Sequence, residues 1–198
     1  YSSGGSVANL LAMGAARQQA FEKLGIDPAL DGFDKKCRIY VSEACHRTIH
    51  RAAGVLGMGR RSVYSVKTDA QGRLCATSLK EKLIEDLDSD ILPVAIVANA
   101  GTTNTGAIDP IADIAELAES FAIWFHIDGA YGLPGVLDPT VTHLYQGLIK
   151  ADSVTVDPHK WLGAPVGIGA TFVRDINVLK RAFTQEQADY LEGACVGE

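Results

Sequence analysis

The chain of 198 residues has few basic residues, no long apolar run and no secretory signal. Its 18 Lys and Arg stand against 24 Asp and Glu, so the formal net charge is −6 and there is no basic footprint for nucleic acid or an anionic membrane. No apolar stretch reaches the ~20 residues that a membrane-spanning helix needs, and no basic segment precedes a short apolar one. We therefore expect a cytoplasmic protein that binds neither nucleic acid nor membrane.

The four cysteines lie far apart, and no two of them form a C-x-x-C pair. Cys37, Cys45, Cys75 and Cys195 match neither a disulfide scaffold nor a zinc ribbon, and we expect reduced thiols. An apolar share of 47% with 21% charged residues is typical of a globular protein with one sizeable core. Residue 4 already lies in a glycine-rich turn with no strand before it, so we expect one domain, or part of one, of a longer protein.

Helical and strand patterns alternate along the chain. Apolar residues recur at helical spacing from 7 to 24, and Gly25 follows where a C-cap glycine belongs. Further helices are predicted at 44–56, from a cap at Thr77 or Ser78 to 87, at 110–121 and from 178 onward, and strands at 37–42, 62–66, 93–98, 123–127, 153–156 and 168–173. The alternation predicts an α/β domain with a mostly parallel sheet sandwiched by helices.

In such a sheet ligands bind beyond the carboxyl ends of the strands, and the unusual residues of this sequence are predicted to lie there. Gly4, Gly5 and Ser6 open the first helix, whose leading amides have no partners within the helix, so the turn suits a phosphate. The alternative is that Ser6 is a plain N-cap. Thr102 and Thr103 follow a buried strand, and they can equally be simple turn hydroxyls.

An acidic residue ends another predicted strand, in the run His-Ile-Asp-Gly-Ala-Tyr at 126–131. The carboxylate of Asp128 can hold a ring nitrogen protonated through a charge-assisted hydrogen bond, and the two small residues after it leave room for a flat group. The alternative is that Asp128 caps the loop that follows.

The sharpest feature is the run Asp-Pro-His-Lys-Trp at 157–161, just past a strand. Partial desolvation of Lys160 beside His159 and Trp161 would favour the neutral amine that Schiff-base chemistry needs. The alternative is a solvated surface lysine.

Two histidines stand four residues apart on a predicted helix, at a spacing that two metal ligands can use. No third ligand follows His46 and His50 at a recognisable spacing, and the H-E-x-x-H pattern is absent, so we predict no metal site. The flat imidazole of His46 is better suited to stacking.

Five motifs follow one another in a recognisable order. They are Gly-Gly-Ser-Val-Ala-Asn, Glu-Ala-Cys-His, Ala-Gly-Thr-Thr-Asn-Thr-Gly-Ala-Ile-Asp, His-Ile-Asp-Gly-Ala-Tyr and Asp-Pro-His-Lys-Trp-Leu. From residue 3 to about residue 174 the chain resembles the group II pyridoxal-phosphate-dependent decarboxylases, which include aromatic amino acid and glutamate decarboxylases. The resemblance implies the large domain of a fold type I enzyme of pyridoxal phosphate, here spanning 1–198.

The resemblance also implies a role for each site residue. The catalytic residues would be Lys160, which forms the internal aldimine, Asp128 at the pyridinium nitrogen, His46 stacked on the ring and touching the substrate carboxylate, and His159, which assists proton transfer. The residues that bind the cofactor would be Gly5 and Ser6 at the phosphate, Thr103 beside the ring, Ala130 on its other face, and His46, Asp128, Asp157, His159 and Lys160.

Two departures from the family pattern follow from the same resemblance. Position 157 is Asp where several relatives carry Asn, and a carboxylate cannot donate a hydrogen bond to phosphate. The family's N-terminal segment, its small C-terminal domain and a mobile loop with a catalytic Tyr lie outside these residues. Sites of the family lie at a homodimer interface, so the resemblance implies a homodimer of the full-length protein.

The implied activity is decarboxylation of an L-amino acid to its amine and CO2. Trp161 and the segment from 183 to 191 resemble the aromatic branch more than the glutamate branch. One alternative is a carbon–carbon lyase of the sphingosine-phosphate lyase type, although Trp161 stands where that group has Tyr. A second alternative is a non-catalytic homologue that binds the cofactor or a partner.

Overall fold

The computed structural model describes residues 1–184, and a single six-stranded sheet organises them. Its strands are β1 (Cys37–Ser42), β2 (Val63–Val66), β3 (Leu92–Asn99), β4 (Trp124–Asp128), β5 (Ser153–Val156) and β6 (Ala170–Val173). Their order across the sheet is β2-β1-β3-β4-β5-β6, and only the last pair is antiparallel. The predicted mostly parallel α/β architecture is confirmed.

Helices cover both faces of this sheet. They are α1 (Gly5–Glu22), α2 (Thr48–Val55), α3 (Ala76–Asp88), α4 (Ile111–Ser120), the single turn α5 (Pro158–Trp161) and α6 (Ile176–Phe183). One apolar core joins α1, α2 and α6 to the sheet, and a second core joins α3 and α4 to the opposite face. Within residues 1–184, none of the helices combines the length and apolar character that a membrane crossing requires.

Strand β4 shows how the sheet divides its residues between the two faces. Phe125 and Ile127 point into the core beneath α3 and α4. Trp124, His126 and Asp128 point towards α1, because successive side chains of a strand alternate between its faces. The α1 face therefore receives the polar side chains of β4.

Most helix ends differ from their predictions by one or more residues, and two of the differing starts have a local cause. The helix predicted at 44–56 begins at Thr48, because the amides of Ala44 and Cys45 turn back to the side chain and carbonyl of Ser42 at the end of β1. Helix α3 begins at Ala76 with Cys75 as its N-cap, so neither Thr77 nor Ser78 caps it.

The predicted C-terminal glycine of α1 is confirmed. Gly25 has φ +74°, its amide donates to the Glu22 carbonyl, and the Ile26 amide donates to the Phe21 carbonyl, which is a Schellman ending. Residues 185–191 of the segment used for the substrate-branch argument lie outside the described residues, as does Cys195. Cys37, Cys45 and Cys75 are free thiols.

Candidate active site

A cleft of about 270 Å³ opens where the carboxyl ends of β3, β4 and β5 meet the N-terminus of α1. Parallel strands bring their carboxyl ends to one edge, which explains why residues distant in sequence meet here. The cleft is lined by every residue predicted to bind the cofactor: Gly5, Ser6, His46, Thr103, Asp128, Ala130, Asp157, His159 and Lys160.

The N-terminus of α1 provides an anion cradle on one side of the cleft. Gly4 is the N-cap and has φ +121°, a conformation that favours glycine, and its carbonyl accepts from the amides of Val7 and Ala8. The first amides of a helix have no intrahelical acceptor, so those of Gly5 and Ser6 remain available to a ligand. The interpretation of Ser6 as the N-cap is wrong, because Gly4 occupies that position.

Glycine is required beside this cradle because the backbone approaches Asp157 closely. A Cβ added to Gly5 would lie 2.6 Å from Asp157 Oδ2, and one added to Gly169 would lie 2.7 Å from the Gly4 Cα. Asp157 is 4% exposed, and its Oδ1 has no hydrogen-bond partner among residues 1–184. A buried carboxylate therefore stands directly behind the amides that suit a phosphate.

Lys160 faces Asp157 across the first turn of α5. Its Nζ lies 3.3 Å from Asp157 Oδ2, and its side chain is 37% exposed. The lysine is therefore partly shielded from water, and it is neither a fully solvated surface lysine nor a buried one. His159 lies beside it, with Nδ1 3.4 Å from the Ile168 carbonyl oxygen.

Asp128 is buried at the end of β4 and accepts two hydrogen bonds. One oxygen accepts from the Ala130 amide at 3.2 Å, which is the loop contact of the alternative interpretation. The other accepts from Asn9 Nδ2 at 2.9 Å. The carboxylate thus has a local contact and a long-range one, and it still faces the cleft with Ala130.

His46 lies in the turn before α2, and the prediction that it shares a helix with His50 is wrong. Its Nδ1 lies 3.1 Å from Thr48 Oγ1, and its exposed ring lines the cleft.

Burial lowers the pKa of His50, which lies on α2. No cluster of three His, Cys, Asp or Glu suited to a metal occurs in the described part of the chain.

The loop between β3 and α4 carries Thr103 to the cleft. Thr102 is buried and its hydroxyl contacts the hydroxyl of Thr105, so it is a turn hydroxyl, whereas Thr103 is exposed at the cleft. The base of the loop is closed by Asp109, which accepts from the amides of Leu74 and Asn99 and from the Asn99 side chain. Burial raises the pKa of Asp109 despite these donors.

Sequence reasoning missed Asn9 and gave no role to His126. Asn9 is 1% exposed on α1, contacts Asp128 and lines the cleft, and His126 contacts Asn9 from β4. The available signal was an amide inside an alanine-rich apolar helix, where Asn is disfavoured unless it has a partner.

The groups present fit pyridoxal phosphate. Free helix amides suit its phosphate, the carboxylate of Asp128 suits its ring nitrogen, and the amine of Lys160 suits its aldehyde. The tight backbone approach at Gly5 and Gly169 is consistent with a cradle shaped for a ligand.

The comparisons with known proteins agree with this donor set. The pyridoxal-dependent decarboxylase conserved domain matches residues 1–196. The aromatic-L-amino-acid decarboxylase of Bacillus atrophaeus is 36% identical over 91% of this chain and 36% of its own length. The aspartate 1-decarboxylase of Aliivibrio fischeri is 37% identical over 96% of this chain and 36% of its own length.

A solved structure extends the agreement to the fold. The crystal structure of mouse CSAD has a TM-score of 0.87 and 35% identity, over 93% of this chain and 38% of that chain. The chain thus spans a little over one third of the length of these relatives. The resemblance to pyridoxal-phosphate decarboxylases of fold type I is confirmed, and the chain belongs to the pyridoxal-dependent decarboxylase family, whose cofactor is pyridoxal phosphate.

Proposed function

We propose that the protein removes CO2 from an L-amino acid and releases the amine. The observation that carries this proposal is the convergence of an anion cradle, a buried carboxylate and a partly desolvated lysine on one cleft. Pyridoxal phosphate, when bound, supplies an electron sink for the pair released when the Cα–carboxylate bond breaks.

The residues of the chain divide the remaining work. The amides of Gly5 and Ser6 hold the phosphate, with help from the dipole of α1. Asp128 holds a proton on the ring nitrogen, because a carboxylate stabilises the pyridinium cation. Lys160, whose amine suits an aldehyde, would hold the cofactor covalently.

Three further residues act on the ring and on protons. His46 and Ala130, which line the cleft, would hold the cofactor ring between them, and Thr103 would lie beside it. His159, adjacent to the lysine, moves protons at the reacting carbon. Asp157 contributes backbone contacts near the phosphate, and its side chain contacts Lys160.

For the substrate, we propose an aromatic amino acid. Tyr131 lines the cleft, and the ring of Trp161, which is 53% exposed, meets the Tyr131 ring edge to face with 5.7 Å between centroids. Such a pair offers aromatic contact area to an aromatic side chain. Relatives of nearly equal identity are named for aromatic and for aspartate substrates, so the test uses a panel of both.

We also propose that the full-length protein is a cytoplasmic homodimer in which residues 1–198 form the large domain. Large apolar side chains beside Lys160 are exposed, at Trp161, Leu162 and Val166, which supports a further surface covering this side of the cleft. The free thiols of Cys37, Cys45 and Cys75 are consistent with a reducing compartment.

The decisive experiment is borohydride reduction of the full-length protein with pyridoxal phosphate, followed by peptide mass mapping. We expect the label on Lys160 alone, together with CO2 release from L-Trp, L-Tyr or L-Phe in preference to L-Asp or L-Glu. Label without CO2 release from any amino acid would favour a non-catalytic cofactor-binding protein. Absence of label on Lys160 would refute the proposed function.

A further inference from the structure

A chain of buried hydrogen bonds runs behind the cleft, and the roles assigned above do not use it. Its centre is the side-chain amide of Asn9, which contacts three residues on two other elements, β4 and α2. Nδ2 lies 2.9 Å from Asp128 Oδ2 and 3.0 Å from Thr48 Oγ1, and Oδ1 lies 3.0 Å from His126 Nε2. All four residues are at most 7% exposed, so water does not substitute for these contacts.

The Asp128 carboxylate fixes the direction of the protons in this chain, because it can only accept. Asn9 Nδ2 donates to it, so Asn9 Oδ1 accepts from His126 Nε2, which carries the ring proton. Nδ1 of the neutral ring then accepts from the Ser153 hydroxyl at 2.8 Å. Ser153 Oγ in turn accepts from Trp124 Nε1, which can only donate, also at 2.8 Å.

The charge of His126 is fixed by its burial. Complete burial lowers the pKa of His126 to about 4, against the opposing effect of Asp128, so the ring is neutral at neutral pH. A neutral ring with its proton on Nε2 leaves only one orientation of the Asn9 amide, with the NH2 group turned towards Asp128 and Thr48.

The near end of the chain reaches the other side of the cofactor site. The Thr48 amide donates to His46 Nδ1 at 3.3 Å, so this nitrogen is an acceptor. The Thr48 hydroxyl, which accepts from Asn9, therefore donates to the same nitrogen at 3.1 Å. One amide therefore connects the carboxylate assigned to the ring nitrogen with the imidazole assigned to the ring face.

We propose that Asn9 is a positioning residue of the cofactor site, which holds the Asp128 carboxylate and, through Thr48, the His46 ring in the geometry that the cofactor requires. The inference rests on the proposed function. Hydrogen bonds to a charged group in a buried network are worth more than those in water, and they hold the carboxylate in place before the cofactor arrives.

The test uses the full-length protein with the variant Asn9→Leu, which keeps the approximate size of the side chain and removes its hydrogen bonds. We expect the dissociation constant of pyridoxal phosphate to rise at least about tenfold. With cofactor labelled by 15N in the ring, we expect the nitrogen resonance to move in the same direction as in Asp128→Asn. The matched control is Asn177→Leu, at an exposed position of α6, which should change neither quantity.

A purely structural role would give a different result. It would lower the melting temperature of the cofactor-free protein and leave the ring-nitrogen resonance of the bound cofactor unchanged. That outcome, or a wild-type dissociation constant in Asn9→Leu, would overturn the proposal. If borohydride does not label Lys160 in the wild-type protein, the proposed function is refuted, and this inference, which depends on it, is refuted as well.

If Asn9→Leu does not fold, a second variant, Ser153→Ala, tests the same proposal. Ser153→Ala removes the proton donated to His126 Nδ1, which leaves this buried nitrogen without a donor and weakens the hold of the ring on Asn9 Oδ1. We expect a smaller rise in the dissociation constant, about threefold to tenfold, with the same direction of resonance shift. An unchanged resonance in Ser153→Ala would refute the relay from β5 to Asp128.

Discussion

The two walls of the cleft are built in different ways. The β4 wall, which we define as Asn9 and Asp128 at the cleft with His126 behind them, is at most 7% exposed, and each side chain has hydrogen-bond partners from another element. The α5 wall, which comprises Asp157, His159 and Lys160, lies on a single helical turn, and its lysine is 37% exposed with one ion contact at 3.3 Å.

The difference suits the role proposed above for each wall. A carboxylate that stabilises a charge acts best when it is held before the charge develops, and burial with several partners achieves this. A lysine that attaches a cofactor and then releases it must move, and its flexible four-carbon chain allows this. We therefore expect loss of Lys160 from the α5 wall to abolish covalent attachment, and substitutions in the β4 wall to leave attachment possible while they weaken cofactor affinity and turnover.

The largest expected effect is that of Lys160→Ala. Lys160 is the only lysine that lines the cleft among residues 1–184, so its loss should abolish the borohydride label and lower turnover by more than about a thousandfold. The matched control is Lys150→Ala, which removes an exposed lysine paired with Glu119 away from the cleft. Turnover and peptide mapping measure both, and activity that survives in Lys160→Ala would show that another residue attaches the cofactor.

A somewhat smaller effect is expected from Asp128→Asn, which tests the opposite wall. The amide keeps the size of the side chain but loses the charge that stabilises a protonated ring nitrogen, so turnover should fall about 100- to 1000-fold while Lys160 still takes the label. Asp138→Asn, at an exposed loop carboxylate bonded to Thr140, is the control. If Asp128→Asn lost the label on Lys160 as well as turnover, the two walls would not differ in their effect on attachment.

Sequence reasoning predicted the α5 wall better than the β4 wall, for a physical reason. Lys160, His159 and Asp157 are neighbours in the chain, so their motif is visible as one run of letters. Asn9 and Asp128 are 119 residues apart, and only the folded sheet brings them together. A pairing of this kind leaves no local signal beyond a polar residue in an apolar helix.

The fold was predictable where local pattern and tertiary packing agree. The buried strand β3 and the helix α1 with its ending at Gly25 follow from apolar runs, periodicity and a glycine conformation. The start of α2 was not predictable, because the side chain of Ser42 turns the chain after β1 and overrides the helical spacing of the residues that follow. Gly4, with no side chain, was likewise overlooked as the cap of α1.

The third prediction concerns His126 and the stability of the β4 wall. Its pKa is about 4 in the folded protein and 6.5 without burial, so the unfolded chain binds more protons between these values. The contribution to stability is complete above about pH 6.5 and is lost as the pH falls towards 4, by on the order of 3 kcal/mol. Unfolding in urea at several pH values measures it.

Variants isolate this histidine from the other groups that titrate in the same range. His126→Gln should remove this part of the pH dependence, whereas His143→Gln, at an exposed position, should leave the wild-type curve. Parallel curves for wild type and His126→Gln would mean that His126 takes up its proton in the folded protein as readily as in the unfolded chain.

The smallest expected effect concerns Asp157, where the α5 wall meets the phosphate cradle. The carboxylate lies behind Gly5 with one oxygen unpaired among the described residues, and its charge opposes the charge of a phosphate. Asp157→Asn removes this repulsion and adds a donor, so the dissociation constant of pyridoxal phosphate should fall roughly fivefold, a change of about 1 kcal/mol. The same substitution also frees Lys160 from its ion contact.

Pyridoxal without its phosphate separates these two causes. If repulsion of the phosphate is what Asp157 contributes, Asp157→Asn should bind pyridoxal no more tightly than wild type does, and the gain should be confined to the phosphorylated cofactor. An equal gain for both compounds would mean that release of Lys160 is the cause. In that case the carboxylate acts on the mobile lysine of the α5 wall and not on the anion cradle.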